Sequence, residues 1–286
     1  KMVRALSRLL AQLDRPAFFG MIHVPALPGT PRSSLAPREI IQVVRHEAAI
    51  LADAGVDGII VENMHDIPYV QSSRIGPEIV SSMSLCCAAV REVAEKSERP
   101  SRPLLGVQIL AGANRKAVAV AHATGFDFVR AECFVFSHVA DEGWMDGCAG
   151  ELLRFRRQIG ADSVAVITDV KKKHSSHSVT ADVTLAETAR AAEFFLADGV
   201  ILTGAATGSQ AEPAELEELK RATTLPVLIG SGIDTKNAAL YSQADAFIVG
   251  SSLKANGDWR GELDEERVKE LVRVVGQEKN RMILHV

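Results

Sequence analysis

The sequence has neither a long basic run nor a long apolar run. Its formal net charge is −4 over 286 residues, and its longest run of basic side chains is Lys171–Lys173. A nucleic-acid-binding surface needs concentrated positive charge, so we expect no nucleic-acid partner. A helix that crosses a bilayer needs about 18 to 20 consecutive apolar residues. No stretch reaches that length, so we expect no membrane-spanning segment.

Several catalytic signatures are also missing. The chain contains no G-x-x-x-x-G-K-[ST] loop, no G-x-S-x-G and no H-E-x-x-H. These absences exclude P-loop nucleotide hydrolysis and give no support to a serine hydrolase or a zinc protease. No C-x-x-C spacing occurs among Cys86, Cys87, Cys133 and Cys148. Reduced thiols in the cytoplasm are the simplest interpretation.

What the chain does contain is a regular alternation of apolar runs and helical patterns. The apolar runs are continuous, as in parallel strands that are buried on both faces. Eight strands are predicted: Phe18–His23, Gly58–Glu62, Leu104–Leu110, Phe126–Glu132, Val164–Val170, Val200–Thr203, Val227–Gly230 and Phe247–Gly250. Together with the chain length and an apolar content of 47%, this pattern predicts an α/β fold, a single (β/α)₈ TIM barrel of the phosphate-binding type.

Helices are predicted between these strands. One helical face carries Ile40, Val44, Ala48 and Leu51. A capping box runs from Thr184 to Glu187, and a further helix is expected between the last two strands. We expect one domain over 1–286, with a capping helix in 1–16 and the barrel in 17–275. The amphipathic segment 2–13 is interpreted as that helix, and the start of an organellar transit peptide is the alternative.

Two glycine-serine segments follow the last two predicted strands. They are Pro226–Asp234 and Asp245–Lys254. In TIM barrels the loops after strands 7 and 8 often bind phosphate, because backbone N–H groups can approach an anion there. The candidate phosphate-binding residues are Gly204, Gly230, Ser231, Gly232, Gly250, Ser251 and Ser252. The alternative is that these residues only form tight turns.

Polar residues interrupt the apolar runs where the other strands end, which is where TIM-barrel chemistry takes place. The candidate catalytic residues are His23, Glu62, Asp169, Lys173 and His174. Further pocket residues are Asn63, Gln108, Arg130, Glu132 and Thr203. Because unpaired buried charges are costly, the charged members should pair with each other, with a metal or with a ligand.

Each of these residues has an ordinary structural alternative. His23 could be a core histidine that bonds a carbonyl. Glu62 and Glu132 could bind Mg²⁺ together with Asp169, or form salt bridges. A lysine of the Lys171–Lys173 run could be a Schiff-base nucleophile, a solvated side chain or, as we favour, an anion clamp. The loop from His174 to Thr184 could act as a lid.

The same motifs give the chain a family resemblance. The segments that carry it include Gly20–Gly29, Val61–Asp66, Thr168–Ser175, Gly204–Gly208 and Gly230–Ile233. They are similar to the BtpA/SgcQ family, and the resemblance extends from about residue 18 to residue 274. It implies a phosphate-binding type of barrel and adds Asp66, Thr207 and Gly208 to the site. Two features depart from the family pattern, Lys172 and the segment Ala131–Phe134.

The resemblance implies two different activities. One branch of the family is linked to the stability of photosystem I proteins, and another, in a sugar-utilisation context, is labelled a nucleotide phosphatase. Our first hypothesis is an enzyme that acts on a small phosphorylated metabolite such as a phosphosugar, as a lyase, isomerase or hydrolase. The second is a non-catalytic assembly or stability factor with an apolar or charged outer patch. We also expect a homo-oligomer, with Val43, Val90 and Val93 facing outward.

Overall fold

Strands and helices alternate along the chain. The computed structural model describes residues 5–97, 101–204 and 208–282, and the side chains of 6–97, 101–204 and 208–276. The strands are β1 Ala17–His23, β2 Gly58–Glu62, β3 Leu104–Gln108, β4 Phe128–Ala131, β5 His138–Ala140, β6 Gly143–Met145, β7 Ala165–Asp169, β8 Ser175–Ser176, β9 Gly199–Leu202, β10 Val227–Ile229 and β11 Ala246–Val249. The helices are α1 Ala5–Gln12, α2 Pro37–Ala54, α3 Pro77–Lys96, α4 Asn114–Thr124, α5 Ala149–Gln158, α6 Leu185–Phe194, α7 Pro213–Ala222 and α8 Glu265–Met282.

Eight of these strands close into a parallel barrel. Their order around it is β1-β11-β10-β9-β7-β4-β3-β2, and every residue in them is buried. Such strands must be apolar along their whole length, because helices cover one face and the barrel interior covers the other. The predicted TIM barrel is confirmed, and each predicted strand is present with ends that differ by at most a few residues.

Large side chains fill the lower half of the barrel, where the strands begin. The rings of Phe19 and Phe128 stack there with centroids 5.5 Å apart. Leu6 of α1 is buried against the same interior cluster, which contains the first residues of several strands. Helix α1 therefore covers the lower end of the barrel.

An aspartate stands before every second barrel strand. The four residues are Asp57 before β2, Asp127 before β4, Asp198 before β9 and Asp245 before β11. Each carboxylate accepts the backbone N–H of the neighbouring strand, from Phe18, Leu105, Val166 and Val227 respectively, at 2.7–2.8 Å. Each also meets a cation, from Arg15, Arg102, Arg156 and Lys220. The four contacts bind the strands in pairs at the lower end of the barrel.

Three short strands form a second sheet above the upper end of the barrel. Its order is β6-β5-β8, and both pairings are antiparallel. Strand β8 belongs to the loop from His174 to Thr184, for which a lid was one possible role. Because β8 pairs with β5, that loop is attached to the loop after β4.

Two local predictions are wrong. The helix expected between the last two barrel strands is only a 3₁₀ turn, Ala238–Tyr241. Val90, expected to face outward, is fully buried in α3, which packs between α2 and α4. Val43 is exposed as expected. Within the parts of the chain that the structure describes, no helix has the length and apolar character needed to cross a membrane.

We predict that Asp198→Ala destabilises the barrel by about 3 to 5 kcal/mol, because it leaves the Arg156 guanidinium buried and unpaired. It also removes the acceptor of the Val166 N–H. The free energy of unfolding, measured in urea, checks this. Asp162→Ala is the matched control, because its partner Arg157 is adjacent to Arg156 but exposed. The control should lose less than about 1 kcal/mol, and equal losses in the two variants would refute the prediction.

Candidate functional site

Two joined cavities lie at the upper ends of the barrel strands. The smaller one, of about 40 Å³, has room for a group of a few water molecules. The larger one measures about 450 Å³. Glu62, Met64, Arg130 and Lys173 line both, so the two cavities adjoin each other at these four side chains.

We call the smaller cavity the glycine cup. Its glycine and serine lining consists of Gly208, Gly230, Ser231, Gly232, Gly250, Ser251 and Ser252. Gly232 has φ +75, and a Cβ atom there would lie 2.5 Å from the carbonyl oxygen of Ser209. A Cβ atom on Gly250 would lie 3.0 Å from the His23 ring. Glycine is thus required at position 232, whereas a side chain at position 250 would displace the His23 ring, and main chain forms much of the wall of the cup.

Three candidate residues hold loops together and do not line either cavity. The Gly204 N–H donates to Ser231 Oγ at 2.9 Å, so it is engaged within the protein. Thr203 Oγ1 is 3.4 Å from the carbonyl oxygen of Lys171. Asn63 Oδ1 accepts the Leu110 N–H at 2.7 Å. We therefore leave all three out of the ligand-binding site proposed below.

The family resemblance also added Asp66 and Thr207 to the predicted site. Asp66 accepts hydrogen bonds from the Leu27 N–H and from Asn63 Nδ2, both at 2.8 Å, so it connects the loops after β1 and β2. Thr207 lies outside the described residues.

Arg130 and Asp169 form a buried ion pair beneath the two cavities. Arg130 Nε and Nη2 reach the two carboxylate oxygens of Asp169 at 3.0 and 2.8 Å, and both side chains are almost fully buried. Burial opposes the charge on Arg130, but the contact with Asp169 outweighs it and raises the Arg130 pKa. The pair places two opposite charges at the ends of the adjacent strands β4 and β7.

His23 and Glu62 lie side by side at the ends of β1 and β2. Burial, aided by the nearby charge of Lys254, lowers the pKa of His23 to about 3, so its ring is neutral. His23 Nδ1 is 3.2 Å from the carbonyl oxygen of Trp259, which can only accept, so Nδ1 carries the proton. The unprotonated Nε2 is 3.9 Å from Glu62 Oε2. Burial raises the pKa of Glu62 despite the charges of Arg130 and Lys173.

Lys173 stands where the two cavities meet. Burial, and then the positive charge of Arg130, lowers its pKa. Within the described ranges, no carboxylate lies within ion-pair distance of Lys173. Of the three neighbouring lysines, Lys171 bonds the carbonyl oxygen of Val183 and Lys172 lies near two glutamates. Lys173 is therefore the lysine of the run that a ligand can meet in both cavities.

Glu132 lines the larger cavity in a mixed environment. Its Oε2 accepts the Gly112 N–H at 2.8 Å, and its Oε1 is 3.8 Å from Lys172 Nζ. Burial raises the Glu132 pKa to about 7, with Lys172 acting in the opposite direction. Lys172 also lies 3.5 Å from Glu142. Lys172 thus compensates two carboxylates of the cavity.

The oxygen ligands proposed for Mg²⁺ have other partners. Asp169 faces Arg130, and Glu132 faces Gly112 and Lys172. Among the residues whose positions are described, no group of three His, Cys, Asp or Glu side chains could hold a metal ion. The salt-bridge alternative therefore describes Glu132 and Asp169, whereas the contact of Glu62 is with the neutral His23 ring, 3.9 Å away.

Sequence reasoning missed the apolar side of the larger cavity. Its apolar lining residues are Met64, Ile67, Pro68, Tyr69, Leu110 and Trp259. They come from the loops after β2 and β3 and from the segment that precedes α8. His174, predicted from sequence, also lines this cavity. No periodicity marks loop residues, so only the fold could reveal this wall.

The raised pKa of Glu132 predicts a pH-dependent stability. The folded protein holds this proton up to about pH 7, whereas the ordinary pKa of the unfolded chain is 4.5. The wild type should therefore lose stability as the pH rises between these values. Glu132→Gln has no such proton. The free energy of unfolding of this variant minus that of the wild type should therefore increase by about 2 to 3 kcal/mol from pH 5 to pH 8.

Urea unfolding of both proteins at pH 5, 6, 7 and 8 measures this difference. Glu92→Gln, at an exposed ion pair with Arg45, corrects for the loss of one negative charge. A difference between Glu132→Gln and wild type that does not change with pH would contradict the environment described for Glu132.

Comparison with known proteins agrees with this architecture. The barrel resembles thiamine phosphate pyrophosphorylase of Pyrococcus furiosus, with a TM-score of 0.55 and 15% identity over 92% of this chain and 96% of that one. It also resembles orotidine 5′-monophosphate decarboxylase of Methanocaldococcus jannaschii, with a TM-score of 0.54 and 12% identity over 91% and 98% of the two chains. These likenesses concern the fold.

Two relatives match at the level of sequence. An uncharacterised mitochondrial protein of Caenorhabditis elegans is 52% identical over 272 residues, 95% of this chain and 97% of the relative. The photosystem I biogenesis protein BtpA of Synechocystis sp. is 36% identical over 263 residues, 90% of this chain and 87% of the relative. The BtpA family profile matches residues 14–277. With the barrel and the motifs at its upper end, these matches show that the chain belongs to the BtpA family.

Proposed function

We propose that this protein is an enzyme that binds a small phosphate monoester, holds the phosphate in the glycine cup and acts on the organic part. The observation that supports this most directly is the junction of the two cavities. A cup walled by glycine and serine opens into a larger cavity lined by buried titratable groups, and Arg130 and Lys173 stand between them.

The cup has the chemistry that an anion needs. Close approach to the main chain lets backbone N–H groups act as donors. Arg130 and Lys173 add positive charge in a site where water screens it little. The two barrels compared above are named for phosphorylated compounds, thiamine phosphate and orotidine 5′-monophosphate, and a phosphate group is the ligand that this cup fits.

The catalytic roles follow from protonation. Lys173, with its lowered pKa, is the candidate base or Schiff-base nucleophile. Glu62, with its raised pKa, can donate a proton, and the unprotonated Nε2 of His23 can accept one. Glu62 and Lys173 line both cavities and so lie near the organic part of a bound ligand, whereas His23 lines the cup. We therefore propose proton transfer or carbon-bond chemistry, as in an isomerase or a lyase, ahead of phosphate hydrolysis.

A second function, as an assembly factor, is favoured by one surface feature. Phe194, Phe195 and Leu196, at the end of α6, are exposed by 81%, 46% and 68%. Contiguous apolar side chains on a surface often mark protein contacts, and the Synechocystis relative is named for photosystem I biogenesis. The same surface is our candidate contact for a homo-oligomer. Capture of a protein partner that is unaffected by Lys173→Ala would favour this function.

The proposed cellular compartment rests on the state of the cysteine thiols. All four cysteines are unpaired with each other, which fits a reducing compartment. We propose the cytoplasm, or the mitochondrial interior if the name of the Caenorhabditis elegans relative applies to this chain as well.

Binding of inorganic phosphate tests the proposed enzyme. Calorimetry should detect binding to the wild type, and Ser251→Asp should weaken it by at least about tenfold, because a carboxylate in the cup repels the anion. Ser81→Asp is the control, since Ser81 lies on the exposed surface of α3 and the variant carries the same added charge. If inorganic phosphate does not bind, or if both variants bind it equally well, the proposed site is wrong.

The lowered pKa of Lys173 can be measured by competitive labelling with acetic anhydride. The amine reacts only when unprotonated, so the labelling of Lys173 should rise with pH earlier than that of Lys269, whose pKa is raised by its hydrogen bonds to Glu265 and Glu266. Peptide mass spectrometry gives the two profiles. Saturating phosphate should protect Lys173 and not Lys269, and profiles with the same midpoint would remove Lys173 from the catalytic role.

A further inference from the structure

The larger cavity has two chemically different sides. Its floor consists of strand ends and carries polar and charged side chains, among them Glu62, Gln108, Arg130 and Glu132. Its wall carries the apolar residues Met64, Ile67, Pro68, Tyr69, Leu110 and Trp259, and beside them the loop residues Asp141, Glu142, Lys172, Lys173 and His174. We call this cavity the rim chamber. A ligand that fills it must present a polar edge to the floor and an apolar surface to the wall.

The size of the rim chamber excludes a good fit for a very small ligand. Its volume of about 450 Å³ lies within the range of about 300 to 1,000 Å³ that is typical of sites for whole small molecules. The phosphate itself is accommodated by the cup. A short phosphosugar would leave much of the chamber unfilled, and a longer one would bury less apolar surface against Met64, Tyr69 and Trp259 than a ring system of the same size would.

Gln108 supplies an independent indication that a ligand reaches the floor. Its side chain is 3% exposed, and its Oε1 has no hydrogen-bond partner within the described part of the chain. A buried polar atom without a partner is costly, and native structures seldom leave one without a reason. A ligand with an N–H or O–H on its polar edge would complete this site.

Tyr69 and Trp259 make the wall suited to a flat group. The Tyr69 hydroxyl donates to the Met64 carbonyl oxygen, which fixes the position of the ring. The Trp259 ring lies 5.1 Å from the His65 ring and 6.4 Å from the His23 ring, centroid to centroid. Aromatic side chains held by such contacts favour flat apolar partners, by stacking or by edge contacts.

We propose that the natural ligand is a phosphate monoester whose organic part is a flat, largely apolar ring system, and that this ring occupies the rim chamber beside Trp259 and Tyr69. This inference rests on the proposed function, because it takes the glycine cup as the phosphate site. It narrows the substrate class from phosphorylated metabolites in general to those that carry a ring, and it places a simple phosphosugar outside that class.

The test uses a series of simple phosphate monoesters. Propyl phosphate, phenyl phosphate and 3-phenylpropyl phosphate differ in the presence of a ring and in its distance from the phosphate. In calorimetry, at least one of the two ring compounds should bind about tenfold more tightly than propyl phosphate. Trp259→Leu should remove this advantage, so that the ring compounds bind no more tightly to that variant than propyl phosphate does.

Fluorescence locates the ring without relying on a variant of the chamber. The chain has two tryptophans, so Trp144→Phe leaves Trp259 as the only one. Trp144 lies on β6, is 48% exposed and does not line the rim chamber. In Trp144→Phe the ring compound that binds most tightly should change the emission of Trp259. In the reciprocal control, Trp259→Phe, the emission of Trp144 should not respond.

The outcomes separate this inference from the function on which it rests. If all three monoesters bind with equal affinity, or if a ring compound binds tightly without changing Trp259 emission, the inference is overturned while the phosphate site stands. If neither propyl phosphate nor inorganic phosphate binds, the proposed function fails, and the inference fails with it.

Discussion

The buried ion pair between Arg130 and Asp169 acts on several titratable groups at the upper end of the barrel. Two charges that are almost inaccessible to water are stable only because each is the partner of the other. Burial lowers the pKa of Lys173, and the charge of Arg130 lowers it further. Burial raises the pKa of Glu62, and the charge of Arg130 counteracts part of that rise. A change in this pair would therefore alter the protonation of both candidate catalytic groups.

The lower end of the barrel holds the strands together, and the upper end carries the candidate functional groups. At the lower end, four aspartates bind neighbouring strands through backbone N–H groups and cations, and Leu6 covers the interior. At the upper end, main chain forms the glycine cup and titratable groups line the rim chamber. Because strand register is held from below, the upper loops are under less structural constraint and can carry polar residues that an apolar core would not tolerate.

The sequence predicted the barrel well because buried parallel strands consist of continuous apolar runs, and such runs can be recognised in the sequence alone. It also brought His23, Glu62, Arg130, Asp169 and Lys173 together, since residues at strand ends converge on one side of a parallel barrel. It could not separate residues that line a cavity from those that connect loops. Gly204, Asn63 and Thr203 are polar or small at the same kind of position, and only their hydrogen bonds distinguish them.

Other features left too little signal in the chain. Strand β8 has two residues and exists because β5 lies beside it, so no local pattern could predict it. Trp259 lies far along the sequence from Tyr69, and only the closed barrel brings both to one cavity. The repeated aspartate before every second strand was visible in the sequence, but its meaning depends on a neighbouring strand whose position is known only once the barrel closes.

The pairing of β8 with β5 has a consequence for the lysine run. Strand β7 ends at Asp169 and β8 begins at Ser175, so the five residues from Val170 to His174 form a short bridge that is fixed at both ends. A bridge of this kind has few conformations available before any ligand arrives. Recognition by Lys173 then requires little loss of conformational entropy, and more of the interaction energy remains as affinity.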